Sequence, residues 1–149
     1  MRAVVQRVSR AQVEVEGQVT GAINQGLVVL LGIHRSDTDQ DLVWMVEKIH
    51  HLRIFDDEQG VMNRSLVDIG GALLVVSQFT LHGDCRKGRR PSWNEAAPPE
   101  QAKALYDRFL ECCRQRAIPL QAGVFQAEMQ LSLTNSGPVT ILLDSHKIF

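Results

Sequence analysis

The chain has 149 residues, 44% of them hydrophobic and 22% charged, with a formal net charge of -1. That size suits one domain, 1–149, with its own core, and the near-zero net charge excludes a globally basic nucleic-acid binder, so any such contact rests on a local patch. The longest apolar run, Gly26 to Ile33, is far short of a membrane span. No signal pattern opens the chain, and its three cysteines, Cys85, Cys112 and Cys113, have neither zinc spacing nor an even disulfide framework. The expectation is a cytoplasmic protein with reduced cysteines, no metal, no cofactor and no membrane partner.

Ala3 to Val8 and Gln12 to Val19 set apolar residues at alternate positions, Val13, Val15 and Val19 against Gln12, Glu14 and Gln18. They predict a strand and then a hairpin with one wet face, interrupted at Gly17. Gly26 to Ile33, continuously apolar, predicts a mid-sheet strand covered on both faces. Asp37 or Thr38 caps a helix along which Leu42, Met45, Val46 and Ile49 form one apolar side, and its basic end from Lys48 to Arg53 suits the helix dipole. Arg53 to Phe55 and Val61 to Met62 flank Asp56-Asp57-Glu58-Gln59-Gly60, an acidic hairpin loop without the ligand ladder of a metal site.

After a Gly70-Gly71 turn, Ala72 to Phe79 predicts another buried strand, ending in Ser77-Gln78-Phe79-Thr80-Leu81, where polar groups emerge from the core. Periodicity vanishes from His82 to Pro99, with Lys87 to Pro99 a long loop. Here Arg86, Lys87, Arg89 and Arg90 crowd beside Trp93. A second helix starts at Pro98-Pro99-Glu100 and runs to about Arg116, with Ala102, Leu105, Tyr106, Phe109 and Leu110 as its buried stripe and Pro119 preventing its continuation. Gly123 to Phe125, Met129 to Thr134 and Val139 to Leu143 complete about seven strands. With two helices that do not strictly alternate with them, the strands predict a mixed sheet curved into a barrel or roll, helices on one side.

Between the last two strands lies Asn135-Ser136-Gly137-Pro138-Val139-Thr140, where glycine and proline together demand a rigid backbone corner; a hairpin turn is the simplest form of one. Familiar catalytic templates are missing: no Gly-x-Ser-x-Gly elbow, phosphate loop, dinucleotide fingerprint or paired-histidine metal motif occurs. Thr80 with His82 is the one conventional nucleophile and base. Residues two apart on a strand start about 6 to 7 Å apart, whereas a base must come within about 3 Å, so the pair reads equally as a hydrogen-bonded loop threonine beside a histidine.

Ser77-Gln78-Phe79-Thr80-Leu81 and Asn135-Ser136-Gly137-Pro138-Val139-Thr140 together closely resemble the two signature motifs of the D-aminoacyl-tRNA deacylases. The opening Met1 to Val8 and the loop Lys87-Gly88-Arg89-Arg90-Pro91-Ser92 are similar to that family too, Trp93 and Arg89 being departures from it. The resemblance implies an α/β fold: a three-layer, mixed-sheet β-roll or barrel-like domain with two main helices packed on one side. It implies a homodimer with active sites at the interface, hydrolysing the ester between a D-amino acid and tRNA without cofactor or metal. Ser77, Gln78, Phe79 and Thr80 would form the catalytic segment, with catalysis assisted by the ribose 2′-hydroxyl. Phe79, Ala102 and Met129 would hold the terminal adenosine. Gly137 and Pro138, joined by a cis peptide and braced by Arg7, would exclude L-amino acids from the other subunit's pocket. Arg86, Lys87, Arg89 and Arg90 would meet tRNA phosphates. A threonine-nucleophile esterase, a non-enzymatic nucleic-acid-binding module and a relative with a trans Gly-Pro peptide are the alternatives.

Overall fold

The computed structural model describes residues 1–149. The alternating amino-terminal segment forms one long strand, β1 (Arg2–Val15), hairpinned to β2 (Gln18–Ile23) and followed by β3 (Gly26–Gly32). Helix α1 (Asp39–His51) starts after Thr38, whose backbone N–H donates to Asp41 Oδ2 at 2.8 Å, so Thr38 and not Asp37 is the cap. A small ribbon, β4 (Phe55–Asp56) and β5 (Met62–Arg64), frames the acidic loop. Strand β6 (Ala72–Ser77), helix α2 (Pro99–Gln115), β7 (Leu120–Ala122) and β8 (Gln130–Asp144) complete the chain.

Strand β3 pairs in parallel with β6, and β6 in parallel with β7; α1 lies in the first connection and α2 in the second. Right-handed crossovers that advance the same way across a sheet deliver their helices to one face. Both helices accordingly share one core cluster, in which Met45 and Ile49 of α1 and Phe109 and Leu110 of α2 meet Val5, Leu27, Val29, Leu31, Leu73 and Val75 of the sheet. The other face is also covered. Val28, Leu74 and Val76 point into a second cluster with Val8, Ala11, Val13 and Ile23, because β2 curls back towards β6 and β7 and nearly closes the sheet into a barrel. Burial on both faces is why β3 and β6 read as unbroken apolar runs. No helix is long and apolar enough to cross a membrane.

Four expectations from local pattern change in three dimensions. Met129 to Thr134 and Val139 to Leu143 are not separate strands joined by a hairpin turn; they are halves of β8, which runs antiparallel to β1 along nearly its whole length. The buried strand predicted to reach Phe79 ends at Ser77, and Phe79–His82 winds into one 3-10 turn. The strand expected at Gly123 to Phe125 forms earlier, at Leu120–Ala122, where it can pair with Leu73 to Val75. The loop before α2 is pinned: Asp84 and Ser92 exchange two backbone hydrogen bonds at 2.9 Å, and His34 bridges to Ala96.

Candidate active site

Strands β3 and β6, being parallel, end side by side, and Gln78 extends their ladder by donating its N–H to the Leu31 carbonyl at 2.8 Å. Ligands of α/β sheets bind beyond such carboxyl ends, where loops diverge. A cavity of about 680 Å³ opens there, lined by Ser77, Gln78, Phe79, Ala102 and Met129 together with Trp93, Pro99, Phe125 and other apolar groups. Its volume falls within the usual range for small-molecule sites, about 300 to 1,000 Å³. Five of the residues that the resemblance singled out thus share one wall system, although they come from the end of β6, the 3-10 turn after it, α2 and the approach to β8.

None of the sixteen lining residues carries an ionisable side chain. This chain therefore brings no ionisable general base to the cavity wall, and its polar side chains there are Ser77, Gln78, Gln126 and the indole N–H of Trp93, beside backbone groups. The amides of Phe79 and Thr80 open the 3-10 turn, where the first N–H groups have no acceptor within the turn. Thr80 itself lies outside the lining and is exposed, its hydroxyl accepting a hydrogen bond from the Gln78 amide. The Thr80–His82 dyad does not form. His82 is buried against the His34 ring, neither of its nitrogens has a hydrogen-bond partner, and burial holds its pKa below the ordinary value.

Gly137 and Pro138 stand apart from this cavity in the chain. Gln6 pairs with Thr140 and Val8 with Asn135, so the four residues Ser136 to Val139 bulge out opposite the single residue Arg7. Two clamps hold the bulge. The Asn135 side chain accepts from Val139 N–H at 2.6 Å and donates to the Val139 carbonyl and the Thr140 hydroxyl at 3.1 Å each. Arg7 donates from Nε to the Ser136 carbonyl at 2.9 Å and from Nη1 to the Ile54 carbonyl at 2.7 Å, and it pairs with Asp56. Gly137 has φ +130°, and a Cβ there would lie 2.8 Å from Val139 Cγ2 and 2.9 Å from Arg7 Nη2, so glycine is required. The Gly137–Pro138 peptide is cis.

Arg86, Lys87, Arg89 and Arg90 are all exposed at the tip of the pinned loop. Arg86 differs from its neighbours. It grips Asp84 through Nε and Nη2 at 2.9 and 2.7 Å, and these bonds pull the Asp84 carboxyl down to about 2.

Residues 4–144 match the family described as D-Tyr-tRNA(Tyr) deacylase. The chain belongs to that family. D-aminoacyl-tRNA deacylases of Kosmotoga olearia and Thermosipho africanus are 61% and 58% identical to it over 149 residues, with full coverage of both chains. Among solved structures, a c-Myc DNA unwinding element binding protein superposes with a TM-score of 0.92 at 45% identity, covering 97% of this chain and 98% of its own. A probable eukaryotic D-amino acid tRNA deacylase shares the fold, with a TM-score of 0.78 at 21% identity and coverage of 95% and 97%.

Motif reading within the family misses the far wall of the cavity. Ala96, Ala97, Phe125, Gln126 and Ala127 line it from loops, where no periodicity marks them. It also misses a cluster elsewhere: His34, Asp37 and His146 bring ligand-type atoms within 4.8 Å of one another. Those donors are already engaged, Asp37 by the Met1 ammonium at 2.5 Å and His34 by Ser36 and Glu95.

Proposed function

We propose that this protein hydrolyses the ester bond joining a D-amino acid to the 3′-terminal ribose of tRNA, releasing free amino acid and tRNA in the cytoplasm. Family membership supports the reaction class. The observation that carries the mechanism is the cavity without an ionisable side chain. Ester hydrolysis needs a positioned water, a place for the oxyanion and a route for the proton. In this reading the amides near Phe79 and Thr80 meet the oxyanion, and the substrate's own 2′-hydroxyl orients the water and passes its proton to the departing 3′-oxygen. Phe79, Ala102 and Met129 hold the adenosine.

Selectivity is assigned to the Gly137–Pro138 bulge, presented by one subunit of a homodimer to the cavity of the other. Occupying the space of an L side chain rejects by clash, and a filter of that kind has nothing to reject in glycine. Glycyl-tRNA is therefore a substrate as well. The test is to incubate the purified protein with D-, L- and glycyl-tRNA and with a D-aminoacyl-tRNA ending in 2′-deoxyadenosine. Release from the D and glycyl esters alone, with loss on 2′-deoxy substitution, is expected. Turnover of the 2′-deoxy ester at the normal rate would sink the substrate-assisted step and favour a protein nucleophile. The relative named as a DNA-unwinding-element binding protein motivates one further arm, single-stranded DNA, for which binding without turnover is the competing outcome.

A further inference from the structure

At the rim of the cavity Phe79 and Trp93 meet edge to face, with centroids 5.2 Å apart and planes at 69°. Both stay wet: Phe79 is 56% and Trp93 40% exposed. An edge-to-face pair satisfies its own quadrupoles yet leaves a flat ring face open, and an open aromatic face beside an apolar cavity suits a planar ligand.

Trp93 is held firmly. It directly follows Ser92, one of the two residues that pin the basic loop, and its carbonyl accepts from Ala96 N–H at 3.0 Å. Its indole rests on Gly83, where a Cβ would sit 2.7 Å from Cζ3, so the ring lies against bare backbone. Along the chain the exposed Lys87, Arg89 and Arg90 come just before this fixed indole, and the indole itself lines the cavity. A single strand whose phosphates follow the loop and whose last residue enters the cavity passes over Trp93.

We propose that Trp93 is a substrate-binding residue whose indole stacks the unpaired base preceding the terminal adenosine of the tRNA 3′ strand, and so joins the loop to the cavity. The proposal rests on the deacylase reading. Stacking suits the task because every base offers a π face, and it is worth about 1 to 3 kcal/mol per base by alanine substitution, or roughly 5- to 150-fold in affinity.

Two measurements test it. In the first, Trp93→Ala raises KM for D-aminoacyl-tRNA at least fivefold with kcat within twofold of the parent, Trp93→Phe restores most of the loss, and Gly83→Ala, which displaces the ring without changing its chemistry, moves KM in the same direction. In the second, Trp44→Phe leaves Trp93 as the sole indole, and its fluorescence is quenched by a CCA trinucleotide but less by one abasic at the middle position. An unchanged KM in Trp93→Ala, a fall in kcat not relieved by phenylalanine, or equal quenching by the abasic trinucleotide would each overturn the assignment. Failure of the wild-type protein to deacylate any aminoacyl-tRNA would instead reject the underlying reading, and the trinucleotide experiment would still decide the stacking.

Discussion

Two buried histidines that do not line the cavity show how much a single residue decides. His50 on α1 is buried to 1% exposure with neither ring nitrogen hydrogen-bonded, and burial lowers its pKa from 6.5 to about 4. It is neutral in the folded protein, whereas the unfolded chain takes up a proton below pH 6.5. Stability contributed by the neutral ring is thus complete above pH 6.5 and is lost as the pH falls towards 4. Between pH 7 and pH 5 the expected loss from His50 is about 2 kcal/mol, read as a drop in the urea midpoint that His50→Leu reduces by that amount. His82 shifts the same way from the same cause. The cavity behaves differently, since nothing that lines it titrates. Measured above pH 6.5, where the fold is intact, kcat/KM for the D-ester is expected to show no bell-shaped profile. A bell with two enzyme pKa values would point to a catalytic side chain that the cavity lacks.

At the scale of elements, the Asn135 to Thr140 stretch shows where reading by pattern stops. Glycine and proline announce a corner, but the same residues serve a turn between two strands and a bulge within one, and only the pairing of β8 with both halves of β1 separates them. The cores of α1 and α2 were legible because burial of one face writes a period into the sequence, and those of β3 and β6 because burial of both faces leaves an unbroken apolar run; Phe125 to Ala127 were not, because loops that line a cavity carry neither mark. The bulge owes its shape to Asn135 and Arg7, so loosening it is predicted to change selectivity first. Asn135→Ala removes three hydrogen bonds, a local cost of about 1 to 3 kcal/mol, and is expected to raise L-ester hydrolysis at least tenfold while D-ester hydrolysis changes little. An unchanged L/D ratio would detach the bulge from chirality. The basic loop carries its own test. Neutralising Lys87, Arg89 and Arg90 together should flatten the dependence of log KM on log salt by about 2 units or more. Arg86→Gln alone should move it less, because Asp84 already engages that guanidinium.

The whole molecule poses a question of distance. Within one chain the cavity and the bulge share no lining residue: Ser136 and Arg7 border a separate pocket of about 380 Å³ beside Arg64. Strand β8, paired only with β1, leaves its outer edge open and Leu142 58% exposed. If the bulge of one subunit guards the cavity of the other, the two functions can be separated and recombined. Ala102→Trp fills the cavity and is expected to abolish hydrolysis while leaving that chain's bulge intact. Gly137→Val distorts the bulge and is expected to give a chain that cleaves L- and D-esters alike. In a mixed dimer the only open cavity belongs to the Gly137→Val chain and faces the sound bulge of its inactive partner. Refolding that chain with a tenfold excess of Ala102→Trp should therefore suppress L-ester hydrolysis several-fold per open cavity and spare D-ester hydrolysis, although the added protein has no activity of its own. A filter acting within one chain predicts no change in either rate, and so does a monomer. Selectivity regained from an inactive partner can arise only where the cavity and its guard belong to different subunits.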